Sequence, residues 1–337
     1  MISQAASGDA VRSRWVTWRA VDLDRLVADA REGTPRAVGR LISLVEDGSP
    51  RLRDLAAALA PHTGRARVVG LTGSPGVGKS TTTSALVSAL RADDRRVGVL
   101  AVDPSSPFSG GALLGDRVRM GDHATDPGVF IRSMATRGHL GGLAAATPQA
   151  LRVLDAAGCD VILVETVGVG QSEVEVVALA DTTVVLLAPG MGDSVQAAKA
   201  GILEVADVFV VNKADRDGAD ATVQELQHMI SLNRREVDGP SWRPPVVRTV
   251  AATGQGIDEL VAALDRHRTW AVDHDLLAEG PRRRARAEIE AIALADLRGR
   301  IRDMSGSATL PALAERVVAG ELDPYAAADE VVASVRT

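Results

Sequence analysis

The chain has 337 residues, of which 46% are hydrophobic and 24% charged, and its formal net charge is −6. This is the composition of a globular protein large enough to bury a sizeable core, and the acidic balance argues against a nucleic-acid scaffold, which needs a concentrated positive surface. Aromatic residues make up only 2%, so Ala, Val and Leu must fill the core, and there is no aromatic platform for stacking single-stranded bases.

In chain order, residues 1–10 lack a charged head followed by an apolar stretch, and no apolar run anywhere reaches about 18 residues. The expectation is a cytoplasmic protein with no membrane partner. From 21 to 59, apolar residues recur at helical spacing, and Gly33-Thr34-Pro35 and Gly48-Ser49-Pro50 break the run where new helices can begin. A small helical region over 1–64 is expected.

The run 68–71 reads as a buried strand, and the segment after it, Gly73-Ser74-Pro75-Gly76-Val77-Gly78-Lys79-Ser80, fits G-x-x-x-x-G-K-[ST]. Such a loop wraps a phosphate with inward-pointing backbone N–H groups, which favours residues without a Cβ at its tight positions. Lys79 supplies a point charge to the β/γ oxygens and Ser80 a hydroxyl to Mg²⁺. Helical composition over 79–91, with Thr81 in its first turn, adds the partial positive charge of a helix N-terminus. The chain is expected to bind a nucleoside phosphate.

Valine- and isoleucine-rich runs at 97–102, 129–131, 161–164, 183–187, 208–211 and 246–250 then alternate with helical patterns. Strands of this kind indicate a mainly parallel sheet covered by helices on both faces, an α/β domain over 65–270. Cys159, the only cysteine, excludes an internal disulfide and a CxxC metal pair and reads as a buried structural residue.

Asn212-Lys213-Ala214-Asp215 follows the run 208–211 and fits the N-K-x-D guanine reader. Guanine presents a ring N–H beside an exocyclic amine, and the Asp215 carboxylate can accept both; adenine has no such pair. Asn212 would fix the loop and the Lys213 stem would pack over the ring. Ala251-Ala252-Thr253, after the last strand, stands where a backbone N–H can meet the guanine oxygen.

Two acids end apolar strands on the edge that carries the phosphate loop, Asp103 and Glu165, and both are candidate Mg²⁺ ligands. Asp116 is a third candidate; the alternative is a solvated loop carboxylate. In Glu165-Thr166-Val167-Gly168 the Gly168 N–H can meet a γ-phosphate. The residue after that glycine is Val169, not the water-orienting Gln of small signalling GTPases, so intrinsic hydrolysis is expected to be slow. Beyond 270 the strand pattern stops. The segments 283–302, 310–319 and 324–335 read as helices, and the basic run Arg282-Arg283-Arg284 with Arg286 reads as a solvated face or a patch for an acidic partner.

With these motifs placed, the chain resembles the MeaB/ArgK family, the GTPases associated with methylmalonyl-CoA mutase. The resemblance runs from about Val38 to the C-terminus and rests on Val102-Asp103-Pro104-Ser105-Ser106, Leu114-Gly115-Asp116-Arg117, Gly141-Gly142-Leu143, the segment 165–173, and Gly192-Asp193 with Gln196 and Lys199. It implies a P-loop NTPase fold of the SIMIBI type. It also implies that Lys79, Ser80, Asp103, Asp116 and Glu165 serve the phosphates and Mg²⁺, while Asn212, Lys213 and Asp215 read guanine. A homodimer built with the helices of 271–337 is implied, as is a mobile loop near 188–199 that couples nucleotide state to the partner. The implied activity is that of a GTP-dependent chaperone of an adenosylcobalamin-dependent acyl-CoA mutase. The chain departs from the family pattern at Ala200, where a second lysine is common, and at Ala251, where a serine is common.

Other readings differ in what they require. A nickel-insertion GTPase would bring clustered Cys and His, and His123 and His139 have no ligands at metal-site spacing. A transport-system kinase would need an acceptor site with a base beside it and would leave N-K-A-D unexplained. A binding module without hydrolysis is a third reading, separable by single-turnover assay.

Overall fold

The structure, a computed structural model, describes residues 22–103, 121–123, 125–135, 146–166, 179–190, 205–232, 241–305 and 309–335. Among the described residues three short helices come first: α1 (Leu23–Arg31), α2 (Pro35–Glu46) and α3 (Leu52–Leu59). The Asp22 side chain caps α1 by accepting from the Arg25 N–H at 3.1 Å, and Pro35 opens α2, where its missing N–H costs nothing. Leu41, Ile42 and Leu44 are buried along α2, so this region has its own packed interior. Its tie to the sheet includes Arg132, which pairs with Glu46 and donates to Ser43 Oγ at 3.1 Å.

The remaining described elements place each strand where the sequence pattern puts one. They are β1 (Arg67–Gly73), α4 (Lys79–Ala92), β2 (Val97–Asp103), β3 (Val129–Ala135), α5 (Thr147–Ala156), β4 (Val161–Thr166), β5 (Thr182–Leu187), β6 (Val208–Asn212), α6 (Ala219–Leu232), β7 (Val246–Thr249) and α7 (Ile257–Asp273). The seven strands form one sheet of order β3-β2-β4-β1-β5-β6-β7, and every pairing is parallel. The α/β fold read from the sequence is present. Strand β3 runs four residues beyond the predicted 129–131, carried by its parallel ladder with β2 through Asp103 and Ala135.

The two-residue period of the strands sorts their side chains between two cores. Val184, Leu186, Val208 and Val210 pack with Leu86, Val87 and Leu90 of α4 and Leu260, Ala263 and Leu264 of α7. Val185, Leu187, Phe209 and Val211 face the other way, against Val223, Leu226 and Met229 of α6. Each fully buried Leu or Val of this kind is worth about 1.5–3 kcal/mol. Cys159 is buried as expected, and burial pushes its thiol up to about 12, which leaves it unreactive.

Three helices complete the chain: α8 (Glu279–Ser305), α9 (Thr309–Val318) and α10 (Pro324–Val335). The chain divides into two compact units, Met1–Arg284 and Ala285–Thr337, and the division falls within α8. The basic run at its start is exposed at Arg282, Arg283 and Arg286, as expected of a solvated face, but two of its guanidinium groups also reach the backbone before β5. Arg283 donates to the Ala180 carbonyl at 3.0 Å, and Arg284 donates to the Leu179 carbonyl at 3.1 Å and to Asp181 at 2.5 Å. The guanidinium forks satisfy backbone oxygens just before β5, which a charge-pattern reading cannot anticipate. No helix among the described residues is long and apolar enough to cross a membrane.

The N-terminal ends of the strands hold a buried polar cluster. The Thr182 hydroxyl lies 2.9 Å from His267 Nδ1, and His267 Nε2 lies 3.3 Å from Asp207 Oδ1. Asp207 also accepts from the Thr183 N–H at 2.7 Å, and Trp242 donates to its carbonyl at 2.7 Å. Burial pushes the Asp207 carboxyl up from 3.8 to about 6, and burial with the nearby Arg67 pushes the His267 imidazole down from 6.5 to about 4. The two act oppositely on stability. Asp207 contributes stability that is full below 3.8 and lost as pH rises through about 6, whereas the His267 contribution is full above 6.5 and lost as pH falls through about 4. Between these limits they offset. His267→Gln should therefore leave stability falling from pH 4 to 6, and Asp207→Asn should leave it rising, when urea midpoints are compared across that range. Parallel profiles for the parent and both variants would refute the assignment.

Candidate functional site

The site is assembled at the C-terminal ends of the central strands. In an open parallel sheet this is where ligands bind, because the loops diverge there and leave a crevice. β1 lies between β4 and β5, with Leu71 opposite Glu165 and Gly73 opposite Leu186. The phosphate loop therefore leaves the sheet beside the end of β4.

Two glycines of the loop are required by close approach. Gly73 has φ +140°, and a Cβ there would strike the Leu186 carbonyl oxygen; Gly78 has φ +97°, and a Cβ there would strike the Asn212 side-chain nitrogen. Gly78 also caps α4, so the loop passes directly into the helix N-terminus. Lys79 is buried at 8% exposure, and its ammonium donates to the Gly73 carbonyl at 2.7 Å and the Ser74 carbonyl at 3.1 Å. Ser74 is partly exposed, Pro75 and Gly76 are exposed, and Val77 is fully buried beneath the loop.

Ser80 Oγ donates to Glu165 Oε1 at 2.6 Å. One turn along α4, the Thr83 hydroxyl lies 3.1 Å from Glu165 Oε2 and 3.0 Å from the Lys79 carbonyl. Ser80 and Thr83 are three residues apart and so share a helix face. Thr83 was not among the predicted site residues. The signal for it was the β-branched run Thr81-Thr82-Thr83 inside a helix, where such residues are intrinsically disfavoured. Thr81 itself is only partly buried. A serine hydroxyl against a carboxylate, both hard oxygen donors at the strand ends, fits the ligand chemistry of Mg²⁺. Asp103 ends β2 on the same edge, and its side chain lies outside the described residues. Asp116, Gly168, Val169, Gln196 and Lys199 also lie outside them.

The guanine motif joins the phosphate loop through one buried side chain. Asn212 Nδ2 donates to the Val77 carbonyl at 2.8 Å, while its Oδ1 accepts from the Ala251 N–H and the Thr249 hydroxyl, each at 3.1 Å. These partners fix the amide orientation, since Val77 offers only an acceptor and Ala251 only a donor. Lys213 has φ +58°, a left-handed conformation rare for a residue with a side chain, and donates to the Gly76 carbonyl at 2.6 Å. Asp215 is exposed beside them. In the third loop, the Ala251 N–H is taken by Asn212 and the Thr253 N–H by the Val250 carbonyl at 3.0 Å. Only Ala252 of the predicted three keeps its N–H uncommitted among the described residues. The structure thus brings Gly73 to Ser80, Glu165, Asn212 to Asp215 and 251–253 to one edge.

Comparison with known proteins gives this edge its context. The family model described as "Methylmalonyl Co-A mutase-associated GTPase MeaB" matches residues 38–305. The chain is 48% identical over 313 residues to a GTPase-family protein of Pyrococcus abyssi, covering 93% of this chain and 97% of that protein. It is 40% identical over 242 residues to the GTPase ArgK of Escherichia coli, covering 69% and 72% of the two chains. It is also 39% identical over 278 residues to the mouse mitochondrial methylmalonic aciduria type A homolog, covering 77% and 65%. The solved structure of an LAO/AO transport system kinase superposes with a TM-score of 0.65 at 26% identity, covering 94% of this chain and 98% of that one. The phosphate loop, the guanine motif and these matches together place the chain in the MeaB/ArgK family, the methylmalonyl-CoA mutase-associated GTPases.

Proposed function

We propose that this GTPase is the nucleotide-gated chaperone of an adenosylcobalamin-dependent acyl-CoA mutase, most naturally methylmalonyl-CoA mutase, governing cofactor loading and protecting or reactivating the enzyme. The observation that carries the partner is the match of residues 38–305 to a family model described by its association with that mutase. The geometry supports how the nucleotide would act. Lys79 exchanges the Gly73 and Ser74 carbonyls for β/γ-phosphate oxygens. Asp215 accepts from the two donors of guanine, the Lys213 stem lies against the ring, and the Ala252 N–H donates to the guanine oxygen.

Ser80, Asp103, Asp116 and Glu165 would hold Mg²⁺, which supplies charge neutralisation across the β- and γ-phosphates when bound. With the metal bound, the Ser80 hydroxyl would serve it rather than Glu165, so one of the contacts that hold Glu165 here is one that nucleotide binding would change. Glu165 leads within three residues to Gly168, whose N–H meets the γ-phosphate. Differential binding at this point biases the following segment between two states, which is the only way a nucleotide can do work on a partner. With Val169 in the water-orienting position, intrinsic turnover is slow and the partner or another element completes the site.

The homodimer is proposed to form through the C-terminal unit. Ile289, Ile292, Leu297 and Ile301 are exposed along α8, and Leu313, Val317, Val331 and Val332 line an apolar groove of about 530 Å³ with Ile301. The protein is read as cytoplasmic. One structural neighbour is described as a transport system kinase; in this chain N-K-A-D and the lack of an identifiable acceptor base favour GTP hydrolysis over kinase chemistry.

Lys79→Ala should abolish measurable GTP binding by fluorescence titration, because the charge that replaces the phosphates' counterions is lost. Asp215→Asn should lower the preference for GTP over ATP by at least about 10²-fold, since a site built around hydrogen bonds rejects its mismatch strongly; unchanged discrimination would remove Asp215 from the base site. The decisive assay is GTP turnover with Mg²⁺, with and without a cobalamin-dependent acyl-CoA mutase, with ATP as control. Slow, GTP-selective turnover accelerated by the mutase is expected. Indifference to every such mutase would overturn the partner, and turnover of ATP alone would overturn the guanine assignment.

A further inference from the structure

The sheet edge opposite the phosphate loop carries a cavity of about 530 Å³ that the GTPase reading does not use. Its walls come from the C-terminus of α1 (Arg31), the turns before β1 (His62, Arg65) and β2 (Arg95), the turn between α5 and β4 (Asp155, Asp160) and the outer face of α7 (Arg268). Four arginines and a histidine thus line one concavity in a protein whose formal net charge is −6.

The two carboxylates in the wall offset part of this charge and leave four guanidinium groups against two acids, a wall that is still net positive. Asp155 spends both oxygens on backbone donors, accepting from the N–H groups of Gly64 at 2.5 Å, Arg65 at 3.1 Å and Ala66 at 2.9 Å. Asp160 accepts from the Arg96 N–H at 2.8 Å. Arg95 pairs with Asp93 at 3.7 Å and with Asp265 at 3.6 Å, the latter through the carboxylate oxygen that Arg67 does not use. Arg31, Arg65 and Arg268 make no ion pair with a described residue. Guanidinium groups without ion-pair partners in a net positive wall repel one another, an arrangement that a bound anion relieves.

We infer that this cavity is a second anion site, separate from the GTP site, that takes a small ligand bearing a phosphomonoester or diphosphate group. Its volume is in the range of small-molecule pockets, about 300–1,000 Å³, and too confined for a nucleic-acid backbone. Arginine forks match phosphate oxygens bidentately, which favours a phosphoryl ligand over a simple halide. β1, of seven residues, separates the cavity from the phosphate loop, by about 20 Å at the rise of an extended strand. One ligand therefore cannot span both sites, and each can be titrated while the other is filled.

The test is calorimetric titration of inorganic pyrophosphate into the full chain saturated with GDP. Binding of one pyrophosphate per chain, undiminished by further GDP, is expected. Arg65→Glu with Arg268→Glu, both at exposed positions, should weaken it about tenfold or more while leaving GTP turnover unchanged. The milder pair Arg65→Gln and Arg268→Gln, checked by thermal melting, guards against a folding defect and should weaken binding in the same direction. Competition by GDP would assign the heat to the phosphate loop and overturn the inference. Equal binding by parent and variants, or no binding, would overturn it as well. Binding of a polyglutamate peptide in place of pyrophosphate would overturn the small-ligand assignment in favour of an acidic protein partner.

Discussion

The buried carboxamide of Asn212 is the joint on which the site depends. It bonds to the phosphate loop on one side and to the loop after β7 on the other, and it fills the space that the missing Cβ of Gly78 leaves open. Its donor and acceptor are both satisfied, so the two loops that would hold the ends of a nucleotide are locked in register before any ligand arrives. Preorganisation of this kind spares the binding energy that ordering them would consume. A buried polar group with three partners is also hard to replace, because losing it strands them.

A second constraint is the carboxylate of Glu165. Parallel pairing sets it beside the phosphate loop, and two hydroxyls from one face of α4 hold it there. The same helix supplies Lys79, whose ammonium occupies loop carbonyls. Strand end, helix start and loop are therefore one hydrogen-bonded assembly. Any group that draws Ser80 away removes a bond to Glu165, and Glu165 is continuous in sequence with Thr166-Val167-Gly168. The assembly therefore offers a physical origin for the coupling that the proposed chaperone role requires.

The two edges of the sheet are specialised differently. At the C-terminal edge lie the glycine loop, a helix N-terminus and the buried Lys79, the groups that the proposed nucleotide would meet. At the N-terminal edge the strands start from charged residues: Arg67 is 5% exposed and pairs with Asp265, and the Thr182, His267 and Asp207 cluster is buried beneath Trp242 and Trp270. Such a buried network gains little net stability over apolar packing, but its partners must stay in place once it is formed. It holds β1, β5, β6 and α7 together from below, and the arginine-lined cavity opens beside it.

Much of the fold was legible in the sequence because its signals are local. Valine-rich runs between helical patterns specify a parallel sheet, Pro35 marks a helix start, and the phosphate loop and N-K-x-D carry their chemistry in consecutive residues. What could not be read there was every contact between distant segments. Thr83 looks like a poor helix former until α4 is laid against the end of β4, and Ala251 looks like a base contact until Asn212 takes its N–H. Arg284 looks solvated until it meets the Leu179 carbonyl and Asp181 before β5. Sequence alone determined the phosphate loop, the guanine motif and the family, since these depend on backbone conformation and spacing within a few residues. Only the tertiary structure decided which donors remain free for a ligand and which charges lack a counterion, because hydrogen bonds and ion pairs saturate and their partners here lie up to about 200 residues away along the chain.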